Sequence, residues 1–207
     1  KSQVLPCRLN FILMAIMSSP IVHIAAGYAI YSIVRHKLPK QSIIGVPARI
    51  GWPILFACLS LLPDLDVIVA WTHGNMAKFH NNLTHSLLVW IPLSLLLAAV
   101  LKACTEISAR CGFLFFLVSS YMHILVDFST YGRGVMLFWP ITTTRFHAPI
   151  TIFQGVPWSD KLTSPNYLQM LLEDCFFAAI VLALVAIIRR FHAWHEKHAY
   201  KPGNGIK

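Results

Sequence analysis

Seven side chains able to bind a metal ion or move a proton lie at the edges of strongly apolar stretches. They are His23, the pair Asp64 and Asp66 of LLPDLDV, His80 and His85 of FHNNLTHS, and His123 and Asp127 of MHILVDF. Four imidazoles and three carboxylates make a nitrogen and oxygen donor set with no thiolate. Such a set suits Zn2+ first and Mn2+ or Fe2+ next. Seven donors exceed the needs of one tetrahedral ion, so there is room for two, with a bridging carboxylate and a bound hydroxide. The chemistry in view is hydrolysis by metal-activated water.

Spacing sharpens some of these assignments. His123 and Asp127 are four residues apart, so a helix presents both on one face as a chelating pair. Asp64 and Asp66 would diverge on a helix and share a side in extended chain, and Pro63 favours a break there. His80 and His85, five apart, would diverge on one helix, so one of them belongs on a loop, which Asn81 and Asn82 permit. Each residue alone has a plainer reading. Asp64 and Thr84 could be helix caps, His85 a satisfied interfacial histidine and His23 a core histidine. Together the plain readings weaken, because burying so many polar groups near lipid costs several kcal/mol each unless they are paired or coordinated. His73, His147, His192, His195 and His198 read as solvated loop or tail residues.

The elements that must position these donors are read from the apolar runs. The 207 residues are 57% hydrophobic and only 12% charged, against about 25% charged in soluble domains. With a mean hydropathy of +0.63, the chain reads as an all-α, polytopic membrane bundle. Five segments stand out, at about 20–34, 50–62, 86–101, 111–128 and 168–188. Crossing takes about 20 apolar residues, which the fifth supplies and the fourth nearly does, so four to five membrane segments are expected. Residues 131–166, with Pro140, Pro149, Pro157 and Pro165, read as an irregular loop or re-entrant region. Residues 1–17 form an N-terminal extension or anchor, 18–190 one helical membrane domain and 191–207 a basic tail, whose RRFHAWHEKH reads as a membrane-surface helix. The five cysteines form no CxxC pair, which argues against a thiolate metal site and a disulfide framework.

The net charge of +9 sits beside apolar runs, which fits anchoring on an anionic bilayer and not nucleic-acid binding. If the end of segment one is cytoplasmic, Lys and Arg favour that side by about two to one. Alternation then brings all seven donors to the other, non-cytoplasmic face of a plasma (inner) membrane. Glu173, at the start of segment five, falls on that face as a further ligand candidate.

His23 in an opening helix, LLPDLD, FHNNLTHS, YMHILVD and GVMLFWP together resemble the YdjM-like family over roughly residues 18–141. The resemblance implies a membrane-bound, metal-dependent hydrolase, of a family in which some members are under LexA control. It maps His23, Asp64, Asp66, His80, His85, His123 and Asp127 onto the family's polar positions. The chain departs at His80-Asn81-Asn82, where the family commonly has His-Arg-Gly, so Arg133 or Arg145 could supply the phosphate contact instead. The HxxxD block is also similar, over a short stretch, to zinc-dependent phospholipase C and P1 nuclease-type sites.

The function expected is hydrolysis of a phosphoester on a lipid or lipid-linked substrate. Asp66 or His80 would serve as orienter or general base and Arg133 and Arg145 as phosphate neutralisers. A metal or proton transporter built on the same cluster is the competing reading, and a metal-stabilised structural protein a third.

Overall fold

A computed structural model of the chain describes residues 20–40, 45–73, 79–155 and 164–199. Its elements are α1 (Pro20–Val34), α2 (Ala48–Leu59), α3 (Asp66–Thr72), α4 (Leu87–Cys104), α5 (Ala109–Phe128) and α6 (Pro165–Ala199). Short 3-10 turns cover Arg35–Lys37, Leu62–Leu65 and Leu83–His85. Among the described residues there are no strands, only two isolated bridges. The bundle is all-α, as expected.

α4, α5 and α6 are each long and apolar enough to cross a membrane. α2 and the helix after it meet the same test only as a bent pair, with an angle of 58° at the break. Pro63 accounts for the break. It has no N–H, and the Asp64 N–H bonds back to Leu61 O, so helix α2 cannot continue through this point. Within the described residues α1 is 15 residues long, about 22 Å at the usual rise, which is less than a full crossing.

Helix ends and close contacts follow from local chemistry. Ser86 caps α4 by accepting from the Leu88 N–H, and Ser108 caps α5 by accepting from the Cys111 N–H. α4 and α5 form an antiparallel pair that meets closely where Ala98 faces Gly112, at which an added Cβ would sit 3.4 Å from Ala98. α1 crosses α2 at Gly27, whose missing Cβ leaves room for Phe56 O, only 2.5 Å from where that atom would be. Outward faces carry Leu95, Leu96, Leu114, Leu125 and Ile187, the surface a bilayer requires.

Residues 129–155 fold over the end of the bundle where α5 stops. Paired bonds between Val135 and Phe146, Tyr131 N–H to Phe153 O and Ala148 N–H to Phe128 O tie this segment to itself and to α5. The Ser86 hydroxyl, donating to Trp139 O at 2.7 Å, ties it to the start of α4. Its described part matches the irregular region expected over 131–166, except that Pro165 already opens α6; residues 156–163 lie outside the described residues. Two details differ from the sequence reading. Asp64 and Asp66 lie on a 3-10 turn and the first turn of a helix, not in extended chain. α6 runs unbroken to Ala199, so the described part of RRFHAWHEKH continues the span and is not a separate surface helix. Residues 1–19 and 200–207 of the anchor and tail lie outside the described residues.

Candidate metal centre

The bend after α2, the turn before α4 and the last two turns of α5 converge on one point. Asp64 comes from the first, His85 from the second, His123 and Asp127 from the third, and one donor atom of each lies within 4.8 Å of all the others. His85 Nε2 is 3.2 Å from His123 Nε2 and 2.9 Å from Asp127 Oδ2. His123 Nε2 is 3.4 Å from Asp127 Oδ2 and 3.4 Å from Asp64 Oδ1, and His85 Nε2 is 3.6 Å from that same oxygen. The edge of a tetrahedron is about 1.63 times its centre-to-vertex distance. Bonds of roughly 2.0–2.1 Å therefore place neighbouring ligand atoms about 3.3–3.4 Å apart, the middle of the observed range.

Hydrogen bonding on the far side of each ring decides which nitrogen faces inward. His123 Nδ1–H donates to Ser60 O at 2.7 Å, because a carbonyl can only accept. The Thr84 hydroxyl donates to Asp66 Oδ2 at 2.8 Å, which leaves its oxygen free to accept from His85 Nδ1–H at 3.1 Å. Neutral rings held this way aim two bare Nε2 lone pairs at each other across 3.2 Å. That arrangement suits a cation between them, although His85 Nε2–H could instead donate to Asp127 Oδ2 at 2.9 Å. Without a metal the cation is a proton. Burial favours the neutral form of His85, but Asp127, Asp64 and Asp66 outweigh it and raise its pKa well above the ordinary histidine value. The donors, their spacing and their tautomers fit a divalent ion.

A second group, Asp64, Asp66 and His80, shares Asp64 with the first. Two of its three donors are already bonded to each other. His80 Nδ1–H donates to Asp66 Oδ1 at 2.8 Å, and Asp66 Oδ2 holds Thr84. His80 Nε2 then points toward Asp64, 3.9 Å from its Oδ1.

The other expected site residues take distinct places. His23 joins neither group. It stacks on His123 with ring centroids 3.8 Å apart and meets the outer oxygen of Asp127 at 3.3 Å, so it backs the ligands from behind. Arg133 donates to His80 O. Arg145 donates to Asn81 O, Gly134 O and the Asn82 side chain. Both arginines therefore clasp the turn that carries His80. Burial lowers the Arg133 pKa, with nearby Asp66 opposing it, while burial and then Arg133 bring Arg145 down to about 10. Glu173 lies on α6 and accepts from Gln169, outside both groups. His192, His195 and His198 are exposed on the end of α6.

Two participants were not expected from the sequence. Thr84, readable as a cap, couples Asp66 to His85. Ser60 supplies only its carbonyl. Pro63 offers no N–H to that oxygen and the Asp64 N–H goes to Leu61, so the broken helix leaves it free for His123. The proline itself was the available signal.

Comparison with known proteins agrees with a helical membrane protein. The model of the YdjM inner membrane protein family matches residues 17–195. Inner membrane protein YbcI of Escherichia coli (strain K12) is 30% identical over 139 residues, covering 63% of this chain and 80% of that protein. No solved structure matches the chain.

Proposed function

The chain belongs to the YdjM inner membrane protein family, and from that premise we propose that it is a membrane-bound, metal-dependent hydrolase of phosphoesters on lipid or lipid-linked substrates. The observation that carries the reading is the four-donor group, with its two inward-facing Nε2 atoms 3.2 Å apart. Zn2+ is the ion that suits it first, with Mn2+ or Fe2+ as alternatives. Asp64, His85, His123 and Asp127 would hold a divalent ion, which would supply acidification of water and polarisation of a phosphoryl oxygen.

The protein's own residues supply the remaining work. Asp66 holds His80 in one tautomer, so that Nε2 faces the shared Asp64 and can accept a proton from water. A second ion in this group would share Asp66 with the His80 and Thr84 hydrogen bonds, which makes it the weaker of the two. Arg133 and Arg145 fix the His80 turn through a few of their N–H groups, and the donors left over can meet phosphoryl oxygens. A site ringed by lipid-facing helices favours a substrate that is already in the bilayer. We place the site on the non-cytoplasmic face.

The test is metal analysis of purified wild type and His123→Ala, with a phospholipid hydrolysis assay on both. The reading expects about one tightly held equivalent and turnover in wild type, and neither in the variant. Wild type that binds no metal after reconstitution sinks it. Metal binding with no turnover on any lipid phosphoester shifts the assignment to transport or structure.

A further inference from the structure

On the outer side of α4, from the turn of the helix that follows His85, lies an apolar cleft of about 460 Å³. Its floor is one stripe of α4, Leu88, Pro92 and Leu96, flanked by Leu93, and its lip is Trp139 and Pro140. The buried stripe of the same helix is Trp90, Ser94 and Ala98. An offset of two residues turns a helix by about 200°, so the cleft stripe faces away from the bundle, toward the bilayer.

Three observations say what this cleft takes. It begins next to the chemistry: its lip is pinned to Ser86 by the bond to Trp139 O, and the residue before Ser86 is the ligand His85. Its walls are almost wholly apolar side chains, so a charged or hydrogen-bonding body would find no partner along it. From Leu88 to Leu96 it runs about 12 Å along the helix, close to the roughly 15 Å of hydrocarbon in one leaflet. A chain much longer than a leaflet would overrun it.

We propose that this cleft binds one acyl chain of a glycerophospholipid, laid along Leu88, Pro92 and Leu96 under Trp139, with the phosphate end directed to the metal centre. The proposal rests on the reading of that centre as a lipid phosphoesterase for its direction, but the cleft's occupant can be read without turnover. The chain enters sideways from the bilayer, so the lipid need not leave the membrane.

The experiment places the full chain in phospholipid nanodiscs containing a phosphatidylcholine with a diazirine in the middle of one acyl chain. Crosslinked peptides are mapped by mass spectrometry, and metal content is measured on each sample. Labelling should concentrate on 88–96 and 139–140. In Leu93→Trp, which fills the cleft, it should fall about tenfold with metal content unchanged. Leu93→Ala should keep the labelling and guards against a folding defect, and Leu182→Trp on the outer face of α6 should leave the pattern as in wild type. Labelling spread equally over α4, α5 and α6, or unmoved by Leu93→Trp, overturns the proposal. Concentrated labelling without hydrolysis of any phospholipid supports the cleft while overturning the activity.

Discussion

The two donor groups that share Asp64 solve opposite problems. In the four-donor group every ring has its outer nitrogen occupied, by Ser60 O or by Thr84, so the inner nitrogens face one another. In the three-donor group His80 and Asp66 satisfy each other directly at 2.8 Å. The first arrangement turns two ring nitrogens toward one point with two carboxylates, whereas the second turns only His80 Nε2 toward Asp64, 3.9 Å away. Proximity of histidines and aspartates is therefore not enough to identify a metal site, and the direction of the lone pairs separates an ion holder from a proton-handling pair. Their supports differ too. His85 and His123 sit at helix ends packed into the bundle, whereas His80 rides on a turn gripped by Arg133 and Arg145.

The largest effect that could break this contrast comes from the ligands. His85→Ala or Asp127→Ala should lower metal affinity by more than the roughly 10–100-fold that outer partners are worth, read by metal analysis after dialysis. Next come His80→Ala and Asp66→Asn, which should cut turnover by about 10²–10⁴ while the tightly held ion stays. Loss of that ion in either variant would erase the distinction between the groups. Thr84→Val touches both groups at once and should cost about 10–100-fold in metal affinity or turnover, with dissociation constants and kinetics measured on the same preparation. The ion should also bind more weakly as pH falls, because protons compete for His85 and His123; titration calorimetry in two buffers would show proton release on binding. The smallest effect lies outside both groups. Gly27→Val should destabilise by about 1–3 kcal/mol through overpacking against Phe56 O, seen as a lower melting temperature with metal stoichiometry unchanged.

Much of this arrangement was legible in the sequence because it depends on local rules. Pro20–Val34 is a helix at the expected bounds, the His123–Asp127 pair shares a helix face, and Pro63 breaks the chain between α2 and α3. What was not legible depends on where backbone groups meet across the fold. Asp64 and Asp66 were expected to need extended chain to converge. A 3-10 turn brings both into the cluster by letting His80 and His85 come between them. Arg133 and Arg145 announce cations, but nothing in their spacing says that they would find the carbonyls of His80 and Asn81. Glu173 shows the reverse limit. It has a ligand's chemistry and the expected position along its segment, yet its helix directs it to Gln169.

The Ser60 carbonyl has a consequence for net charge. A carboxylate in its place would orient His123 equally well and add a negative charge. The carbonyl adds none, so Asp64, Asp127 and a divalent ion held there would sum to zero, a neutral assembly that a low-dielectric interior tolerates. What remains charged around it is Asp66 against Arg133 and Arg145, an excess of one positive charge facing whatever approaches. An anionic phosphoester would cancel that excess on arrival.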